Sequence, residues 1–197
     1  RAGSLINRDD PPAQSDAALV EFMVAAGAVC IGALNMGEYA YDFITDNAHD
    51  GSTHNPHDLT RSAGGSSSGS GAAVAAGLAD YAIGTETNGS IVCPAALNGI
   101  VGLKPTVGLI PQRGIVPISH SQDTAGPMTR TVTQAAALLT VLTGGSIDYT
   151  DHCRGADLSN VRIGVPRGPL WGYSPGLDQA TEHALGILSA CGATLVD

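Results

Sequence analysis

Apolar residues Leu19, Phe22, Met23 and Ala26 recur at spacings of three and four, which predicts an amphipathic helix. Ser15 and Asp16 stand where its cap would fall, and Gly27 where it would stop. The continuous run "AVCIG" at 28–32 then reads as a short buried strand. A loop rich in Asn, His and Pro follows from Asn47 to Asp58. After it come eight consecutive Gly and Ser residues, Gly64 to Gly71, a small-residue helix over roughly Ser70 to Leu78, and the strand "YAIGT". Downstream, Thr131 and Gln134 form a capping box ahead of "AAALLTVL", with Gly144 and Gly145 as its stop. "VRIGVP" is a strand, Ser174 and Pro175 open a helix to about Ala190, Gly192 closes it, and "ATLV" is a last strand. This alternation predicts an α/β layer fold with a mixed, mainly parallel central sheet flanked by helices.

Composition narrows the function classes. A hydrophobic content of 43% and a mean hydropathy of +0.12 fit a compact globule rather than a disordered chain. The net charge of -9, with eight arginines and one lysine, provides no cationic stripe for a phosphate backbone, which argues against nucleic acid as a direct ligand. Cys30, Cys93, Cys153 and Cys191 form no Cys-x-x-Cys pair, so they read as reduced thiols of a cytoplasmic protein. No apolar run approaches the ~20 residues of a membrane span.

The Gly/Ser run has five competing readings. A flexible linker would join separate domains, whereas this run joins segments of one α/β pattern. A phosphate loop would need a lysine where Ser70 stands. A dinucleotide fingerprint starting at Gly69 would need Gly or Ala where Val74 stands. Gly65 to Gly69 matches Gly-x-Ser-x-Gly with Ser67 as nucleophile, but "NPHDLTRSA" is not the buried strand that such an elbow requires.

The fifth reading comes from the next segment, "GTETNGSIVCPAALNGIVGLKPTVGLIPQRGIVPISHSQDTAGPMTR". Two serine-bearing turns in this order, followed by "GLKPT" and "DTAGPMTR", resemble the amidase signature family of serine hydrolases. The resemblance runs from "AGSL" at Ala2 to about Arg130, with looser similarity beyond, and Ser66 and Ser90 stand 24 residues apart. It implies an acyl-forming nucleophile at Ser90 and a bridging serine at Ser66 after a cis peptide bond from Gly65, with the two hydroxyls within hydrogen-bond reach. It also implies an oxyanion hole of backbone N–H groups from Thr87, Asn88, Gly89 and Ser90. The chemistry suits an amide, a poor electrophile that needs an activated serine and preorganised donors worth about 3 kcal/mol each. No metal or organic cofactor is implied. The expected ligand is a small-molecule or peptide amide, with no membrane partner and a homodimer left open.

The family's third catalytic residue, completing a Ser-cisSer-Lys triad, is a lysine N-terminal to the "AGSL" segment. The one lysine here is Lys104 in "GLKPT", a position not assigned to the base. The sequence is therefore expected to be the central part, 1–197, of a single amidase signature domain, lacking the upstream lysine segment and a C-terminal part, and inactive alone. The alternative is a non-catalytic or amidotransferase-type subunit of the same family. "GTETNGSIVCPAA" and "PISHSQDTAGPM" are similar to the peptide amidase branch, whereas "GALNMGEYAYDF" and "NPHD" are similar to carboxybiuret hydrolase-type relatives. Ala33 stands where many relatives carry a lysine. His49, His54 and His57 match no zinc spacing and read as solvated loop residues. Asp123 is expected to have a hydrogen-bonding role, and a rival triad through His120 has no support in the spacing.

Overall fold

The computed structural model describes every residue except 156. The chain forms two compact units, Arg1–Cys153 and Arg154–Asp197. The Gly/Ser run lies inside the first and is buried throughout, which removes the linker reading.

In the first unit, α1 (Ala18–Ala25) leads to two short antiparallel pairs, β1 (Asp46–Asn47) with β2 (Gly51–Ser52) and β3 (His54–Asn55) with β4 (Asp58–Ser62). Then come α2 (Ser68–Ala75), β5 (Tyr81–Glu86), α3 (Val92–Asn98), β6 (Val101–Gly102), β7 (Thr124–Thr129) and α4 (Val132–Leu142). β7 is central, in the order β5-β7-β6, and pairs antiparallel with both neighbours. The class is mixed α/β as expected, but here the ladders run antiparallel rather than mainly parallel. The physical reason is the connection. Residues 103–123 return as a loop instead of the helical crossover that a parallel neighbour requires.

Successive residues of a strand face opposite sides, so β7 serves two cores. Ala125 joins Leu19, Ile110, Leu138, Leu139 and Leu142 on one side, and Met128 joins Val74, Ala82, Ile91 and Ala95 on the other. Each fully buried large side chain, such as Ile91, Ile110, Met128 or Leu142, contributes about 1.5–3 kcal/mol. Helices α1 and α4 thus cover one face, and α2 and α3 the other.

Two local expectations change. Ser15 and Asp16 do not cap α1. Ala17 is its N-cap without a side-chain bond, and the entry is held by Arg113, whose carbonyl accepts from Ala18 N–H at 3.2 Å and whose Nη1 donates to Asp16 O at 2.9 Å. "AVCIG" is not a buried strand. Val29 is 82% and Ile31 75% exposed, and no described strand pairs with these residues. The capping box of α4 forms as the sequence predicts, with Thr131 Oγ1 accepting from Gln134 N–H.

The second unit is a small βαβ arrangement. Parallel strands β8 (Arg162–Gly164) and β9 (Thr194–Val196) flank α5 (Arg167–Leu170) and α6 (Pro175–Ala190) in sequence. The longer helix starts at the proline that fixes φ for a first turn. Among the described residues no helix is long and apolar enough to cross a membrane.

Candidate active site

The start of α2 is stitched to β5 by serines. Ser67 Oγ accepts from Thr85 N–H at 3.2 Å and donates to Thr85 O at 3.3 Å, and Ser70 Oγ donates to Ile83 O at 2.8 Å. Ser68 Oγ reaches Thr53 Oγ1 at 3.0 Å. Ser67 is thereby occupied on both its donor and acceptor sides, which leaves the nucleophile-elbow reading without a free hydroxyl. Small residues are needed for the approach. A Cβ on Gly69 would lie 2.6 Å from the backbone of Asn35.

The peptide bond between Gly65 and Ser66 is cis. Ser66 is fully buried, and its carbonyl accepts from Gly37 N–H at 3.1 Å. Its hydroxyl makes no hydrogen bond among the described residues. The expected bond between Ser66 Oγ and Ser90 Oγ is not formed. The two motifs instead meet through backbone, with Ser67 N–H donating to Ser90 O at 3.1 Å. A ladder-type backbone contact sets the spacing of the chains and leaves each hydroxyl to its own rotamer.

Thr87, Asn88, Gly89 and Ser90 make the turn between β5 and α3. The buried carboxylate of Glu86 closes it, with Oε2 accepting from Ile91 N–H at 2.7 Å and Val92 N–H at 3.0 Å. Gly89 has φ +91°, and a Cβ there would lie 2.7 Å from the Phe43 ring, so glycine is required twice over. Ser90 is buried and lines a small cavity with Thr87, Ile115, Val116, Ile118 and Asp123.

Asp123 binds this turn to the wall of the cavity. Its Oδ1 accepts from Thr87 Oγ1 at 2.5 Å, and its Oδ2 accepts from Ile118 N–H at 2.7 Å and Ser119 N–H at 2.8 Å. Burial alone would raise its pKa, but the Thr87 hydroxyl and the two backbone donors, with His120 adding a weaker attraction, hold it below the usual value. Lys104 Nζ donates to Thr87 O. His120 is exposed and makes no described hydrogen bond to Ser90, so the rival triad has no geometry.

The loop histidines separate. His49 Nε2 pairs with Glu38 at 3.3 Å and His57 Nε2 contacts Asn98 O at 3.0 Å, and both residues remain exposed, so they are solvated loop residues that also serve as local ties. Sequence reasoning missed Glu86 and the Lys104 contact. Glu86 could have been found from the alternation of β5, since it shares the buried parity of Ala82 and Gly84. The Lys104 contact left no local signal.

The sequence matches the Amidase family over residues 1–197. The chain belongs to that family. It is 53% identical over 165 residues to AtzE of the 1-carboxybiuret hydrolase from Pseudomonas sp. (strain ADP), covering 84% of this chain and 35% of that protein. It is 44% identical over 194 residues to a glutamyl-tRNA(Gln) amidotransferase subunit of Chloroflexus aurantiacus, covering 92% of this chain and 40% of that protein. Among solved structures, native peptide amidase from Stenotrophomonas maltophilia superposes with a TM-score of 0.91 at 46% identity, over 99% of this chain and 43% of that one. The fold is that of the amidase family, and the chain spans well under half the length of these relatives.

Proposed function

We propose that the full-length protein is an amidase-type C–N hydrolase that cleaves a carboxamide through an acyl-enzyme on Ser90, with Ser66 as the bridging serine. The observation that carries this reading is the fully buried, unpartnered hydroxyl of Ser66 on the segment that bonds to Ser90. Leaving such a hydroxyl unpaired costs about 1–3 kcal/mol, and a proton relay gives it a purpose.

In this mechanism Ser90 Oγ attacks the amide carbon while its proton passes through Ser66 Oγ to a base. The base is the lysine that family order places N-terminal to "AGSL"; Lys104 is engaged with Thr87. Backbone N–H groups of the turn at Thr87, Asn88, Gly89 and Ser90 hold the oxyanion. The C–N bond then breaks, the amine leaves with a proton, and water releases the acyl group from Ser90.

The test is amine or ammonia release from amidated peptides and aliphatic amides. Ser90→Ala should abolish it and Ser66→Ala should lower it by about 10²–10⁴-fold, the usual contribution of general base assistance. Undiminished turnover by Ser90→Ala would overturn the reading. The likeness to the Chloroflexus amidotransferase chain supports a second reading, a component that acts only within a complex. Turnover by the purified full-length protein alone separates the two.

A further inference from the structure

Lys104 and Asp123 have no part in the proton relay, yet both are spent on Thr87, one residue of the turn that precedes Ser90. Lys104 Nζ donates to the Thr87 carbonyl and Asp123 Oδ1 accepts from the Thr87 hydroxyl at 2.5 Å. The carbonyl of residue 87 and the N–H of Asn88 belong to one rigid peptide plane and point in opposite directions. Fixing the carbonyl therefore fixes the direction of that N–H. A cation on the carbonyl oxygen also polarises the amide and strengthens its N–H as a donor. The second carboxylate oxygen of Asp123 holds Ile118 and Ser119, so the same side chain sets the distance between the turn and the apolar wall contributed by Ile115, Val116 and Ile118.

We propose that Lys104 and Asp123 are positioning residues of the oxyanion turn, clamping Thr87 by its carbonyl and its hydroxyl so that the Asn88 N–H faces the reacting centre. This rests on the amidase reading above. The clamp acts on the transition state more than on substrate affinity, because an oxyanion donor contributes most when charge has developed.

The experiment uses the full-length protein and an alkyl fluorophosphonate. In that reaction Ser90 Oγ forms a bond to phosphorus, the P–F bond breaks, fluoride leaves and the serine proton passes to the base. Thr87→Val and Lys104→Met should slow labelling by about 10–100-fold, Thr87→Ser should restore the rate by returning the hydroxyl, and Lys104→Arg should recover part of it. With an amidated dipeptide, kcat should fall while KM stays near its wild-type value. Thermal denaturation of each variant separates positioning from folding. A role in stability alone would lower the melting temperature and leave the labelling rate of the folded protein unchanged, which would overturn the clamp. If Lys104→Met fails to fold, the pair Thr87→Val and Thr87→Ser decides. Ser90→Ala should not label. If it does label, the amidase reading falls, whereas an inert Ser90→Ala alongside wild-type rates for Thr87→Val removes only the clamp.

Discussion

Two stretches of the first unit reverse their apparent character. Gly64 to Gly71 is polar and small, the composition of a flexible tether, and is buried throughout. Val29 and Ile31 are apolar and β-branched, the composition of a core strand, and are 82% and 75% exposed. Burial followed the partners that each backbone found. The Gly/Ser run has Asn35, Thr53, Ile83 and Thr85 to bond with, and no bulky side chains to keep them away. The Val29–Ile31 stretch has no described strand beside it.

The largest expected effect comes from adding bulk to the buried run. Gly69→Val must displace the Asn35 backbone, 2.6 Å from the new Cβ, and should destabilise the chain by about 3 kcal/mol or more, read by urea denaturation. An unchanged midpoint would mean that the run tolerates bulk as a tether does. Ser70→Ala is expected to be milder. It deletes the bond to Ile83 O and should cost about 1 kcal/mol in the same measurement.

Asp123 sharpens the comparison through pH, since its carboxylate joins the turn to the cavity wall. Its folded pKa is depressed below the ordinary value of 3.8. Its contribution is therefore present above that value and lost as pH falls through the lower folded pKa. Asp123→Asn should flatten the acid limb of a stability profile below about pH 4 and leave the slope near neutral pH unchanged. An acid limb identical to wild type would show that Asp123 is not protected by its donors. The smallest effect is expected at the exposed stretch. Ile31→Thr should shift stability of the 197-residue chain by no more than about 0.5 kcal/mol. A loss comparable to Gly69→Val would erase the contrast between the two regions.

Local signals were legible where the chemistry is local. The Thr131–Gln134 capping box, the helix opening at Pro175 and the alternation of helices with short strands all follow from residue type and spacing, and the structure reproduces them. Ser66 and Ser90 became site candidates through the resemblance of their two turn motifs to the amidase signature rather than through any local rule. Their roles stand as part of the proposed mechanism.

What only the tertiary structure decided depends on groups distant in sequence. The direction of the β7 ladders followed from a loop return between residues 103 and 123. The ties from Lys104 and Asp123 to Thr87 span 17 and 36 residues. A pattern of hydrophobic and polar positions specifies which face of an element is turned inward, because that is a property of successive residues along one backbone. It does not specify which neighbour arrives there. That choice is made by packing of the whole chain, and it left Gly69 against Asn35 and Val29 in solvent.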